Sequence, residues 1–97
     1  MKEHELKTWP SGFKAIAAGL KHYELRKDDR GFEVGDTLKL MEYDPDRGRF
    51  TRRWINARVT FISRAHGEFR GLEDGFVVMG IKPVRSWYGM LVHRDDW

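Results

Sequence analysis

The spacing of apolar residues predicts an α+β, mainly β fold: a small, partly closed β-barrel of about five strands with one short N-terminal helix. Three observations carry this. Apolar and polar residues alternate with period two through residues 37–43 and 52–64, the mark of half-buried strands. One apolar stripe, Phe13, Ile16, Ala17 and Leu20, has helical spacing instead. Turn residues (Asp28-Asp29, Gly31, Gly35-Asp36, Asp44-Pro45-Asp46-Arg47-Gly48) punctuate the chain at short intervals, as small all-β barrels require.

In chain order, residues 4–8 make a first short strand with Leu6 inward. Pro10 opens the helix, where its missing N–H costs nothing, and Gly19 stops it after two to three turns. Residues 22–26 form the second strand. Residues 37–43 form the third, with Leu38 and Leu40 on one face and Lys39, Met41 and Tyr43 on the other. The Asp-Pro-Asp-Arg-Gly turn leads into a strand over residues 52–64. There Ile55, Ala57, Val59 and Phe61 share one face, opposite Arg52, Trp54, Asn56, Arg58, Thr60 and Arg64, with Ile62 out of phase. Residues 76–81 are continuously apolar and read as a strand buried on both faces. Residues 83–97 lack a period and read as a C-terminal arm. No repeat or linker divides the chain, so its 97 residues form one domain, 1–97.

Composition excludes several classes. With 40% hydrophobic and 34% charged residues the chain is a folding sequence, not a disordered one. There is no cysteine, hence no disulfide and no thiolate chemistry. No apolar run reaches the roughly 18 residues of a membrane helix, and the N-terminus has no apolar signal core. The expectation is a cytoplasmic protein with no membrane association. The histidines (His4, His22, His66 and His93) stand at no metal-ligand spacing, so neither a metal nor any other cofactor is expected. Asp28-Asp29 reads as turn chemistry, and His22 as a packing residue.

Two groups carry candidate chemistry. The first is Lys21, Glu24 and Arg26, where the helix hands over to a strand. Glu24 and Arg26 alternate onto one face, and Lys21 sits beside them at the turn. Two cations around one carboxylate suit a pocket for a polar or anionic group, or else form a structural ion pair. Lys21 and Glu24 are also the catalytic candidates if the cleft performs chemistry. The second group is a basic ribbon: residues 47–67 hold six arginines and no acid, although the net charge is only +3. Arg52, Trp54, Arg58 and Arg64 would serve as a nucleic-acid surface, guanidiniums on phosphates and the indole on a base. As a structural alternative they are solvated strand residues, with Trp54 half-buried under the arm.

The punctuation resembles a known family. Gly19-x-Lys21-x-x-Glu24-x-Arg26 matches the G-x-K-x-x-E-x-R signature of the ASCH superfamily, a branch of the PUA-like β-barrels, and Val34-Gly35-Asp36 matches the V-G-D opening its next strand. A short bacterial and phage-borne branch of unknown function is closer still. Its marks stand here as His4-Glu5-Leu6-Lys7, Pro10, Asp28-Asp29-Arg30-Gly31-Phe32, Glu42-Tyr43-Asp44-Pro45 and residues 75–80. The resemblance covers about residues 4–82 and implies a PUA-like fold with a Lys/Glu/Arg-lined cleft that binds RNA or a nucleotide. One ASCH subfamily hydrolyses N4-acetylcytidine with a Lys, a Thr three residues later and a distant Glu. Lys21 matches the first, Glu24 replaces the second, and Glu68 and Glu73 are the acids nearest the third. Three functions therefore stay open: an RNA- or nucleotide-binding domain, a hydrolase acting on a modified nucleoside or RNA through Lys21 and Glu24, and a phage or bacterial module for a protein partner. Glycines Gly67, Gly71 and Gly75 frame a loop that could close over the cleft.

Overall fold

A computed structural model describes residues 1–66 and 70–90, Met90 by its backbone only. The elements run β1 (Glu3–Thr8), α1 (Pro10–Ala17), β2 (Tyr23–Lys27), β3 (Thr37–Asp44), β4 (Arg49–Arg64), β5 (Phe76–Ser86) and β6 (Gly89–Met90). The strand order is β1-β3-β4-β5-β2, with β6 paired to β5. β1 lies parallel to β3 and the other pairs are antiparallel. The sheet curls into a half-barrel whose two edges are β1 and β2. This is the expected small mainly-β architecture, with one short strand more.

Inward residues of every long strand meet α1 over one core: Leu6, Leu38 and Leu40, Ile55, Ala57 and Val59, Val77, Met79 and Ile81, all buried with Phe13, Ile16 and Phe32. The helix begins as its sequence requires. Trp9, held extended by the following proline, receives Phe13 N–H on its carbonyl, and Pro10 takes the first turn. It ends when Gly19 turns left-handed at φ 78°, and Gly19 and Leu20 donate back to the carbonyls of Ile16 and Ala15. That early end removes Leu20 from the stripe, leaving it exposed.

Three sequence expectations are corrected. Phe61 was expected inward but is 62% exposed, while Ile62 packs against the core. The pairing of β4 with β5 shifts register between Val59 and Phe61, opposite Ile81 and Gly80. This bulge reverses the alternation beyond it, which explains why Ile62 is out of phase. Burying that phenyl ring would have stabilised the fold by about 1.5–3 kcal/mol, so its exposure is a cost set by strand geometry. The expected C-terminal arm is instead, in its first part, more sheet: β5 continues to Ser86 and folds back through β6. Pro83 is accommodated where β4–β5 pairing shifts again, between Asn56 and Ala57. The turn places the Trp87 ring 5.7 Å from that of Phe13. Residues 91–97 lie outside the described residues. A smaller difference concerns residues 76–81: Val77, Met79 and Ile81 are buried while Phe76, Val78 and Gly80 are only half-buried, so one face is core.

The family-like punctuation ties loops to strands. Asp36, at 1% exposure, accepts from the backbone N–H groups of Lys2 and Glu33 and from His4 Nε2 at 2.9 Å. Gly35, at φ 96°, supplies the left-handed turn before it. Asp28 Oδ1 accepts Phe32 N–H, and Asp44 Oδ1 accepts the N–H groups of Asp46 and Arg47 in the expected hairpin turn. Among the described residues no helix is long and apolar enough to cross a membrane.

Burial raises the Asp36 carboxyl, but its backbone bonds and the His4 contact outweigh that and hold it at about 2 against an ordinary 3.8. A lowered folded value stabilises above the unfolded one, and the gain is lost as pH falls through about 2. Asp36→Asn should therefore destabilise the protein by roughly 2 kcal/mol at about pH 6. Urea unfolding of both proteins should show that difference closing toward about pH 2; a gap independent of pH would contradict it.

Candidate functional site: a charged cleft at the open seam

Glu24 and Arg26 lie on the inward face of β2, opposite Met79 and Val77. The helix stop sets Lys21 beside them, its backbone N–H on the Ala15 carbonyl. The expected trio is thus brought together. Lys21 Nζ donates to Glu24 Oε1 at 2.8 Å and Arg26 Nε to Glu24 Oε2 at 2.9 Å. Glu24 is 3% exposed, while the side chains of Lys21 and Arg26 keep 23% and 24% of their surface in solvent. A carboxylate at that depth is tolerated because each oxygen has a cationic donor.

Arg26 does a second job. Its Nη2 donates to the Lys7 carbonyl at 2.9 Å and lies 3.4 Å from Thr8 Oγ1, crossing the seam from β2 to β1. Further along the seam Arg30 Nη1 donates to the Glu5 carbonyl at 2.7 Å. Two carbonyls on the open side of β1 are therefore satisfied by guanidiniums rather than by a strand.

Between this bridge and α1 lies a cleft of about 440 Å³, lined by Lys7, Thr8, Trp9, Ser11, Gly12, Lys21, Glu24, Leu25 and Arg26. The first helical bond belongs to Phe13, so the N–H groups of Ser11 and Gly12 precede the ladder at the positive end of the helix. No acidic residue occupies that first turn. A Cβ on Gly12 would lie 3.6 Å from Lys21 Nζ, so glycine keeps the space beside the ammonium open. Among the described residues one Lys21 donor goes to Glu24 and the ammonium stands 4.9 Å from the Tyr23 ring centre, leaving donor capacity for a ligand. Among the described residues nothing engages Arg26 Nη1. With Glu24 neutralising one of the two cations, the cleft suits a polar or anionic group. Trp9 and Leu25, 58% and 53% exposed, give it apolar flanks. Sequence reasoning missed Thr8, Trp9, Ser11 and Gly12; the signal was an acid-free Trp-Pro-Ser-Gly helix start just before the trio.

The arginine ribbon does not stay together. Arg64 donates to the Phe32 carbonyl at 2.8 Å and lies 3.7 Å from Asp28, fastening the β2–β3 loop. Arg53 is bound at 2.7 Å to the buried Glu42, which also accepts from Thr51 Oγ1. Trp54 is half-buried, with the Lys39 ammonium 5.2 Å from its ring centre. Arg58 is exposed and pairs in register with Thr37 and Lys82. Arg52, left-handed at φ 77° where β4 carries extra residues opposite β3, joins Arg47, Arg49 and Phe50 around a second pocket of about 470 Å³ at the hairpin tip. His22 Nε2 bonds the Gly19 carbonyl, a local role. Among the described residues no cluster of three His, Asp or Glu side chains could hold a metal. Gly67 and Glu68 lie outside the described residues, and Glu73 is exposed.

A curled half-barrel with a charged cleft at its open seam is thus the class of protein that fold and site define. Residues 3–81 match the family model described as a domain of unknown function (DUF3850), and the chain belongs to that family. The chain is also 42% identical over 62 residues to an uncharacterized 12.9 kDa protein in the GpA 3′ region of Escherichia phage P2. That alignment covers 64% of this chain and 55% of the phage protein, so the chain spans about half the length of the relative it matches.

Removing the Glu24 charge strands two cations across the seam. Glu24→Gln should cost about 1–3 kcal/mol in urea unfolding. Lys21→Met strips Oε1 of its donor but leaves the Glu24–Arg26 bridge intact, so it should cost less, about 1 kcal/mol. Equal losses would show that the bridge is not what holds the seam.

Proposed function

We propose that this protein is an ASCH-type, PUA-like domain that binds RNA or a nucleotide in the seam cleft. The observation that carries this reading is the arrangement of Lys21 and Arg26 about the buried Glu24, at a mouth that also collects the amides of Ser11 and Gly12. Lys21 and Arg26 Nη1 contact phosphate or a base edge. Glu24, buried with a cation on each oxygen, orients them. The exposed arginines Arg52 and Arg58 supplement this with salt-sensitive backbone contacts, whereas Arg64 is occupied with the fold. Glu24 holds the position where the hydrolytic subfamily has threonine and is committed to two cations, so binding is favoured over hydrolysis.

Fluorescence anisotropy of labelled single-stranded RNA, double-stranded RNA and DNA across a salt series tests this, with nucleoside monophosphates as competitors. Wild type should bind RNA with affinity that falls as salt rises. Lys21→Ala should weaken it about 10- to 100-fold, the value of one charge-assisted hydrogen bond, with circular dichroism showing the variant folded at the assay temperature. Absence of binding at low salt, or binding indifferent to Lys21→Ala, would overturn the proposal.

A further inference from the structure

The outward face of the sheet behind the cleft carries a feature that neither the trio nor the arginines explain. In the pairing register, Tyr23 of β2, Gly80 of β5 and Phe61 of β4 fall in one row across three adjacent strands. Tyr23 is 50% and Phe61 62% exposed, and the glycine between them has no side chain. With neighbouring strands roughly 4.8 Å apart, the two ring-bearing backbones stand roughly 10 Å apart, separated by a residue with no side chain of its own. Leu25 and Val78 continue the apolar surface in the next row, opposite Ser63.

The bulge in β4 makes this arrangement. It turns Phe61 outward, and it brings Thr60 against Gly80, where an added Cβ would come within 3.0 Å of Thr60 Oγ1. The same irregularity therefore presents one ring and sets the Thr60 hydroxyl against the glycine beside it, where a larger residue would clash. Bulges that re-aim a side chain in this way are common beside functional sites. The row is also continuous with the cleft. Lys21 Nζ reaches over the edge strand β2, 2.8 Å from Glu24 on the inward side and 4.9 Å from the Tyr23 ring centre on the outward side.

We infer that Tyr23 and Phe61 form a stacking platform for the unpaired bases of a single-stranded nucleic acid whose phosphate or adjoining nucleotide is held at Lys21. This rests on the nucleic-acid reading of the cleft and narrows it. Two exposed rings on either side of a glycine take planar heterocycles, and a duplex would not offer those base faces. The ammonium between platform and cleft sets a phosphate contact beside a stacking contact, the combination that single-strand binders use. The platform reads no base edge, so it confers preference for unpaired strands without sequence preference.

The test uses the full chain and two labelled probes of about twelve units: a mixed-sequence single-stranded RNA, and an abasic phosphodiester strand of the same charge. Wild type, Tyr23→Leu, Phe61→Leu, Phe61→Trp and Lys21→Ala are compared by anisotropy, with sedimentation run on the same samples. Both leucine substitutions fall at exposed positions and keep apolar bulk, so the fold is retained. Each should weaken RNA binding about 5- to 150-fold while leaving the abasic strand unaffected. Phe61→Trp should retain binding, and Lys21→Ala should weaken both probes. If Lys21→Ala weakens RNA binding but the leucine variants do not, the platform is wrong and the cleft stands. If wild type binds neither probe, both readings fall. If Phe61→Leu instead turns a wild-type dimer into a monomer at unchanged RNA affinity, the face belongs to a second copy of the chain and the platform is overturned.

Discussion

Everything distinctive in this molecule depends on a seam that the backbone leaves open. The curled sheet has two edges, β1 and β2, and they are joined by side chains instead of ladder hydrogen bonds. The Glu5 and Lys7 carbonyls on the open side of β1 are taken by Arg30 and Arg26. Both bonds are solvent-exposed, so each is worth less than the roughly 1.5–3 kcal/mol of a shielded charged donor. They also leave space that a ladder would fill. Into that space project a helix start and the trio of Lys21, Glu24 and Arg26. The residue that closes the barrel is thus one wall of its cleft, and Glu24 holds it there at 2.9 Å.

This double use of charge explains why counting arginines overstates the basic surface. Of the six between residues 47 and 67, Arg53 is bound to buried Glu42 and Arg64 to the β2–β3 loop. Those two serve folding. Arg47, Arg49 and Arg52 gather instead at the β3–β4 hairpin tip, with Arg47 only loosely held by Asp44 at 3.6 Å. Any long-range attraction of an anionic polymer then rests on the hairpin tip, Arg58 and the cleft, rather than on a continuous ribbon.

What was legible in the sequence was what local chemistry decides. Pro10 and Gly19 bracket the helix, the Asx turn at Asp44 makes the hairpin, and period two in β3 places Leu38 and Leu40 inward. The trio was legible because alternation within one short strand fixes Glu24 and Arg26 on a common face. Bulges were not, because they arise when long strands pair around a tight curve and leave only a broken period behind. Ile62 was such a trace, and its meaning, that Phe61 faces out, required the partner strand. The lining from Thr8 to Gly12 was hidden for a related reason: it comes near Lys21 only once β1 and β2 become opposite edges of one sheet. Likewise the register shift that accommodates Pro83 breaks the period of residues 83–86, so the end of β5 did not read as a strand.

The central claim, that the open seam is the binding site, is tested most directly by amide chemical-shift mapping. The isotopically labelled protein would be titrated with single-stranded RNA. The account predicts shifts concentrated in residues 7–12 and 21–26, with weaker ones at Phe61 and Gly80. Shifts confined to the hairpin tip, residues 44–52, with residues 21–26 unmoved, would contradict it and make the seam a device for folding alone.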